Sequence, residues 1–180
     1  TDDLWGFQNA RTALNFSGTV AGDWGYDIRT EWSSGTGQTH WAYGTWDLGD
    51  GWELATGWMK LPTSREWLIN GENQLAVERT WFSDDFGTRL GAALNYQGDD
   101  VRFTAMLSNE NAAANGAVTN GNGSNFTARV EWKAEGEWGQ FDQFTSPQGN
   151  TQGMLFGISY NLQNDGWDAD ATPADTDGDI

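Results

Sequence analysis

The sequence has no cysteine and only one histidine, His40, in 180 residues. Without cysteine there are no disulfides, thiolate metal sites or cysteine nucleophiles, and one histidine rules out a histidine cluster. No apolar run is long enough for a transmembrane helix. Basic residues are also scarce, with 9 Lys and Arg against 26 Asp and Glu and a net charge of -17. This balance argues against nucleic acid as a partner.

Tryptophan and glycine are abundant instead, with 12 and 24 copies. In the segment 24–33, Trp24, Tyr26, Ile28 and Trp32 occupy even positions, and the odd positions hold polar residues or glycine. A two-residue period predicts a β-strand with one apolar and one polar face. The same pattern recurs along the chain and predicts eight strands, at about 5–20, 24–33, 39–48, 52–60, 87–97, 101–110, 125–135 and 152–163.

The predicted strands are joined by tight glycine-aspartate turns that alternate with longer connections. Turns such as 49–51 and 98–100 are short, whereas 61–86 and 111–124 are long. Outer-membrane barrels show this asymmetry between their two ends. The connection 136–150 breaks the rule, because it falls on the side of the short turns and is long.

Two interpretations of the alternating faces remain open at this point. In a soluble sandwich the apolar face is the core, and exposed Trp and Tyr residues then suit a carbohydrate-binding module. In an outer-membrane barrel the apolar face meets lipid and the charged face lines the interior. Trp24 and Trp52 directly follow tight turns while Trp32 ends its strand, which places aromatic rings at two levels and favours the barrel.

Ordered motifs then indicate a family. They are RTALNFSG at 11–18, GWMKLP at 57–62, REWL at 65–68, VER at 77–79, GAALNYQGD at 91–99 and WGQFDQFTSPQG at 138–149. In order and spacing the chain resembles the phosphate-selective porin O and P family over nearly its whole length, to about residue 162. Trp58 and Thr63 depart from the family pattern, which usually has glutamine and an aromatic residue at positions near the expected constriction.

The resemblance implies an all-β fold, an antiparallel meander forming a transmembrane β-barrel of about 16 strands. Residues 1–163, with about eight strands, are then expected to be roughly half of the barrel. A segment at about 61–86 is expected to fold inward, and 164–180 to be an acidic extracellular loop or tail. The implied protein is a bacterial outer-membrane porin, a homotrimer contacting outer-membrane lipid. A closed eight-stranded barrel without a pore is the structural alternative.

The resemblance also implies how the protein acts. Small hydrophilic solutes or ions, with anions such as phosphate among the candidates, pass by passive diffusion, with no cofactor and no enzymatic step. Arginine suits such a lining because its planar fork binds oxyanions through paired hydrogen bonds. The expected pore-lining and constriction residues are Lys60, Arg65, Arg79, Arg11, Arg29, Arg89, Arg102 and Arg129. Glu66 and Glu78 adjoin two of these arginines, which favours a bracing role for Arg65 and Arg79 over contact with solutes.

The acidic tail offers one metal candidate. Asp175, Asp177 and Asp179 alternate as the carboxylates of calcium loops do. Pro173 interrupts the run and no bidentate glutamate follows, so a solvated acidic segment is the favoured interpretation.

Overall fold

The computed structural model describes residues 12–33, 36–76, 87–109, 123–145, 149 and 151–164. The eight strands are β1 (Thr12–Val20), β2 (Trp24–Ser33), β3 (Thr36–Gly49), β4 (Trp52–Lys60), β5 (Thr88–Gln97), β6 (Val101–Asn109), β7 (Ser124–Glu135) and β8 (Met154–Asn164). A four-residue helix, α1 (Arg65–Leu68), and a 3-10 turn, Gly71–Asn73, follow β4. A second 3-10 helix, Trp138–Asp142, follows β7. No helix in these ranges is long and apolar enough to cross a membrane.

The strands form one antiparallel sheet in which spatial order follows chain order. The predicted meander is therefore confirmed, and the bounds of β2 and β4 are those expected from the sequence. A single sheet is not a two-sheet sandwich. Over the described ranges, β1 and β8 are the two edges of the sheet rather than neighbours, so these strands do not close into a small barrel.

The start of β3 differs from its prediction, which was near residue 39. The strand begins at Thr36, and the pairing with β2 shifts so that Arg29 faces Trp41 while Thr30 faces Thr39. His40 is thus the additional residue of a β-bulge. Because a bulge interrupts the alternation of side chains, the residues before it do not continue the pattern of the rest of β3, and the strand extends about three residues beyond its predicted start.

The tight turns bring neighbouring strands close together. Gly51 has a φ of +82°, and a Cβ at that position would lie 2.4 Å from the carbonyl oxygen of Gln97. The carbonyl of Gly51 accepts a hydrogen bond of 2.8 Å from the amide of Gln97. Glycine is required here by both backbone conformation and space.

Burial is inverted relative to a soluble sheet. On one face, large apolar side chains are exposed, including Phe16 (54%) and Ile158 (74%). On the other face, Arg29 and Arg129 are each only 8% exposed. We call these the apolar face and the polar face. The arginines lie opposite the apolar set of their own strands, as the alternation predicted.

Aromatic pairs collect where the tight turns are. Trp24 stacks on Trp46 with ring centroids 5.2 Å apart, and Trp52 meets Tyr96 at 4.8 Å. All four rings lie on the apolar face, within a few residues of a turn. They form the aromatic level predicted for this end of the strands.

Trp58 does not lie where its expected role requires. It pairs with Leu90, which is 42% exposed on the apolar face, while its neighbour Met59 is buried on the polar face. The expectation that Trp58 lies near a constriction is therefore wrong. Because side chains alternate along a strand, the side chain at position 58 faces outward, whichever residue other members of the family have there.

Candidate functional site

Residues 61–76, which we call the inner segment, lie against the polar face of the sheet. Leu61 is 1% exposed and packs in a small apolar cluster with Met59 and Met106. Two alanines on neighbouring strands, Ala55 and Ala93, complete the cluster. Small side chains on the wall make room for the segment, so apolar contact holds its first residue on the sheet.

The inner segment is also stabilised internally. The side chain of Ser64 caps α1 by accepting a hydrogen bond of 3.1 Å from the amide of Trp67, as serine commonly does at a helix N-cap. Trp67 is 6% exposed. The side-chain amide of Gln74 donates to the carbonyls of Glu66 and Ile69, at 2.8 and 2.9 Å. These contacts give the segment one compact shape.

Two wall arginines hold the inner segment from opposite sides. On β2, Arg29 donates to Glu31 at 3.0 Å and makes a forked contact with Glu72 of the segment, at 3.3 and 3.4 Å. On β7, Arg129 donates to Glu131 at 2.7 Å and to the carbonyl oxygen of Thr63 at 2.8 Å. The segment therefore spans the polar face from β2 to β7.

Lys60 is directed toward the inner segment as well. Its ammonium group donates to the carbonyl oxygen of Leu68 and to Oδ1 of Asn70, each at 3.1 Å. The same nitrogen lies 4.8 Å from the ring centroid of Trp41, within the range of a cation–π contact. Lys60 thus helps to fix the loop that follows it.

The unexpectedly long connection after β7 reaches the inner segment. Residues 136–145, the second segment, begin at the end of the strands that carries the tight turns. Arg65 donates to the carbonyl oxygens of Phe141 (3.0 Å) and Gln143 (2.9 Å), and the amide of Phe144 donates to Asn73 at 3.0 Å. The two segments therefore come from opposite ends of the strands and meet over the polar face. Arg65 acts as a brace, and the groups that accept its hydrogen bonds are carbonyls of the second segment.

The second segment also contacts the wall through one aromatic ring. Trp138 lies beneath the guanidinium of Arg102, whose Cζ is 4.1 Å from the ring centroid, and its indole nitrogen donates to Gly98 at 3.1 Å. Arg102 makes an ion pair of 3.4 Å with Asp142. Lys133 approaches the same ring at 5.3 Å.

Of the remaining expected residues, Arg89 lies on the polar face. It is 9% exposed and donates to the carbonyl of Thr88 at 3.1 Å. Arg11 and Arg79 lie outside the described residues, as does the tail with Asp175, Asp177 and Asp179. Within the described ranges, no group of three or more His, Cys, Asp or Glu is arranged to hold a metal ion.

Two groups of the inner segment, Arg65 and Glu72, have shifted pKa values. Burial lowers the pKa of Arg65. Burial alone would raise the pKa of Glu72, but hydrogen bonds from its own backbone amide and from Arg29, together with the charges of Arg29 and Lys60, bring it below its usual 4.5. The contact between Glu72 and Arg29 is therefore present at neutral pH and weakens only as the pH falls through the lowered pKa of Glu72.

Two adjoining cavities lie on the polar face beside the inner segment. The larger, of about 650 Å³, is lined by Asp27, Tyr43, Glu53 and Lys60 among others. The smaller, of about 450 Å³, shares Glu53 and is also lined by Arg129. Glu53 is not among the lining residues that the sequence predicted, which are all cations. Its odd position in β4, opposite Trp52 and Leu54, was the available signal.

The sheet has an exposed apolar face, with aromatic pairs near the tight turns, and a charged face that an infolded segment covers. This is the architecture of a transmembrane β-barrel wall. Comparison with known families agrees with this class. The profile described as Phosphate-selective porin O and P matches residues 1–165. The chain belongs to this family of outer-membrane porins. No curated protein and no solved structure matches it.

Proposed function

We propose that this chain forms part of a pore through which small hydrophilic solutes or ions cross the outer membrane by passive diffusion. The observation that carries the proposal is the position of the inner segment. It lies on the polar face with cavities beside it, held by Arg29, Arg129 and the apolar cluster around Leu61. A segment fixed in this way narrows the lumen and leaves a path next to it.

The residues proposed to line the pore or its constriction are those expected from the sequence. Arg29, Lys60, Arg65, Arg102 and Arg129 support this assignment by meeting the inner or second segment. Arg89 supports it by its place on the polar face. For Arg11 and Arg79 the assignment rests on the family resemblance alone, as does a homotrimer.

General diffusion fits these contacts better than selective transport of phosphate. Arg129 donates to a carboxylate and to a carbonyl oxygen, and Arg65 donates to two carbonyl oxygens. A guanidinium must present free N–H groups to take up an oxyanion through its fork. Arg129 and Arg65 direct these groups to the protein itself, which supports a bracing role for both in the lumen.

Conductance measurements on the intact protein in planar lipid bilayers test the proposal. We expect discrete current steps in potassium chloride, and uptake of small sugars into vesicles that falls as the sugar becomes larger. Folded, membrane-inserted protein that gives neither current steps nor sugar uptake would contradict a pore.

A further inference from the structure

We infer that the lumen favours cations over anions and that Asp27 and Glu53 set this preference. The inference rests on the proposed pore function and adds the charge class of the permeating solute. The family is described by its selectivity for phosphate, so the inferred preference has the opposite sign.

Three lumenal arginines are already paired with carboxylates of the protein. Arg29 contacts two carboxylates, and Arg129 contacts Glu131 and a backbone carbonyl. Arg102 is paired with Asp142 and stacks on an indole ring. A cation that is already paired attracts a passing anion weakly, because its partner cancels most of its field.

Two carboxylates, those of Asp27 and Glu53, line the larger cavity. Oδ1 of Asp27 accepts a hydrogen bond of 2.6 Å from the indole of Trp41, and Oε1 of Glu53 accepts one of 3.0 Å from the side-chain amide of Asn95. Both donors are neutral. In the described part of the chain, neither Asp27 nor Glu53 forms an ion pair with Lys or Arg. Each carboxylate therefore presents a negative charge that no protein cation in these ranges cancels at contact distance.

These two charges lie beside the inner segment. Asp27 and Glu53 line the larger cavity, and Glu53 lines both cavities. A charge in a narrow lumen with walls of low dielectric constant acts on passing ions more strongly than the same charge on an open surface. The effect is a field along the path, not a coordination site for a metal ion.

Lys60 is the positive group that faces the same cavity. Its ammonium group donates to Leu68 and Asn70 and lies over the ring of Trp41. It is one cation against two carboxylates. In the smaller cavity, Arg129 pairs with Glu131 and Arg102 pairs with Asp142, so both arginines contribute little net field. Arg65 and Arg89 line neither cavity. The balance of charge in the lining of the two cavities is therefore negative.

Reversal potentials measured across a potassium chloride gradient, with the intact protein in a planar bilayer, test the inference. We expect the wild-type potential to have the sign of cation preference. The double variant Asp27→Asn, Glu53→Gln keeps both hydrogen-bond acceptors and removes both charges. We expect it to lower the ratio of potassium to chloride permeability by about fivefold.

Asp50→Asn is the matched control, since Asp50 lies in an exposed turn and lines neither cavity. It should leave the permeability ratio near that of the wild type. A wild-type potential of the opposite sign would overturn the inference, as would a double variant with an unchanged ratio, and either result would leave the pore itself intact. Folded protein with no conductance at all would instead contradict the proposed function.

Discussion

At the scale of single residues, Arg129 shows how a lumenal cation is used structurally. Its guanidinium connects Glu131 on its own strand with the carbonyl oxygen of Thr63, 66 positions earlier. It is 8% exposed, and the side chain of Glu131 is 14% exposed. Removing one partner of a shielded ion pair leaves the other charge without compensation, which is far more costly than breaking a pair in open water.

Arg129→Gln should therefore lower the free energy of unfolding by about 3 kcal/mol. Denaturant unfolding of the protein in lipid vesicles measures this change. Arg102→Gln is the control, because the side chain of Arg102 is 26% exposed and its ion pair with Asp142 is longer, at 3.4 Å. The free energy of unfolding of the control should fall by only about 1 kcal/mol. Equal losses in the two variants would contradict the bracing role of Arg129.

At the scale of elements, the strands were predictable and the contacts of the inner segment were not. Alternation along β2 and β4 gave their bounds, because each strand keeps one face toward a single environment. The partner of Thr63 lies on β7, and those of Arg65 lie in a connection 76 to 78 positions later. Pattern within a strand carries no information about such distant pairs. For the same reason, the sequence suggested Glu66 as the partner of Arg65, whereas the observed acceptors are carbonyls of Phe141 and Gln143.

The apolar contact beneath the inner segment gives a prediction at this scale. Leu61→Ala removes a side chain that is 1% exposed and should weaken docking of the segment by about 3 kcal/mol. We expect a larger single-channel conductance and faster proteolysis within residues 61–76.

Leu75→Ala is the matched control. Leu75 belongs to the same segment but is 78% exposed, so both readouts should stay at their wild-type values. If Leu61→Ala also left them unchanged, the apolar cluster would not be what holds the segment on the wall.

At the scale of the whole molecule, the inverted burial defines the environment in which the sheet is stable. The exposed apolar side chains extend across the sheet, from Phe16 on β1 to Ile158 on β8. In water such a face would drive aggregation, whereas in a bilayer it is the favourable outer surface.

Neighbouring residues on β1 test this directly. Phe16 pairs with Ile28 on the apolar face, while Ser17 pairs with Asp27 on the polar face. Phe16→Lys should lower the free energy of unfolding in lipid vesicles by about 2 kcal/mol or more, because it places a charge in lipid. Ser17→Lys should lower the same free energy by less than about 1 kcal/mol, because lumenal positions remain in water. Similar costs at the two positions would contradict the assignment of the faces.

The meeting of the two segments also sets an order of assembly. The inner segment leaves the sheet after β4, but its anchor on Arg129 and its hydrogen bonds to the second segment become available only when β7 and the chain beyond it are in place. Contacts this distant in sequence form late, because the intervening chain must be ordered first. Before that point, the inner segment has only its contacts with Arg29 and with the cluster around Leu61. We therefore expect the width of the path beside it to become fixed only when β7 and the second segment add their contacts.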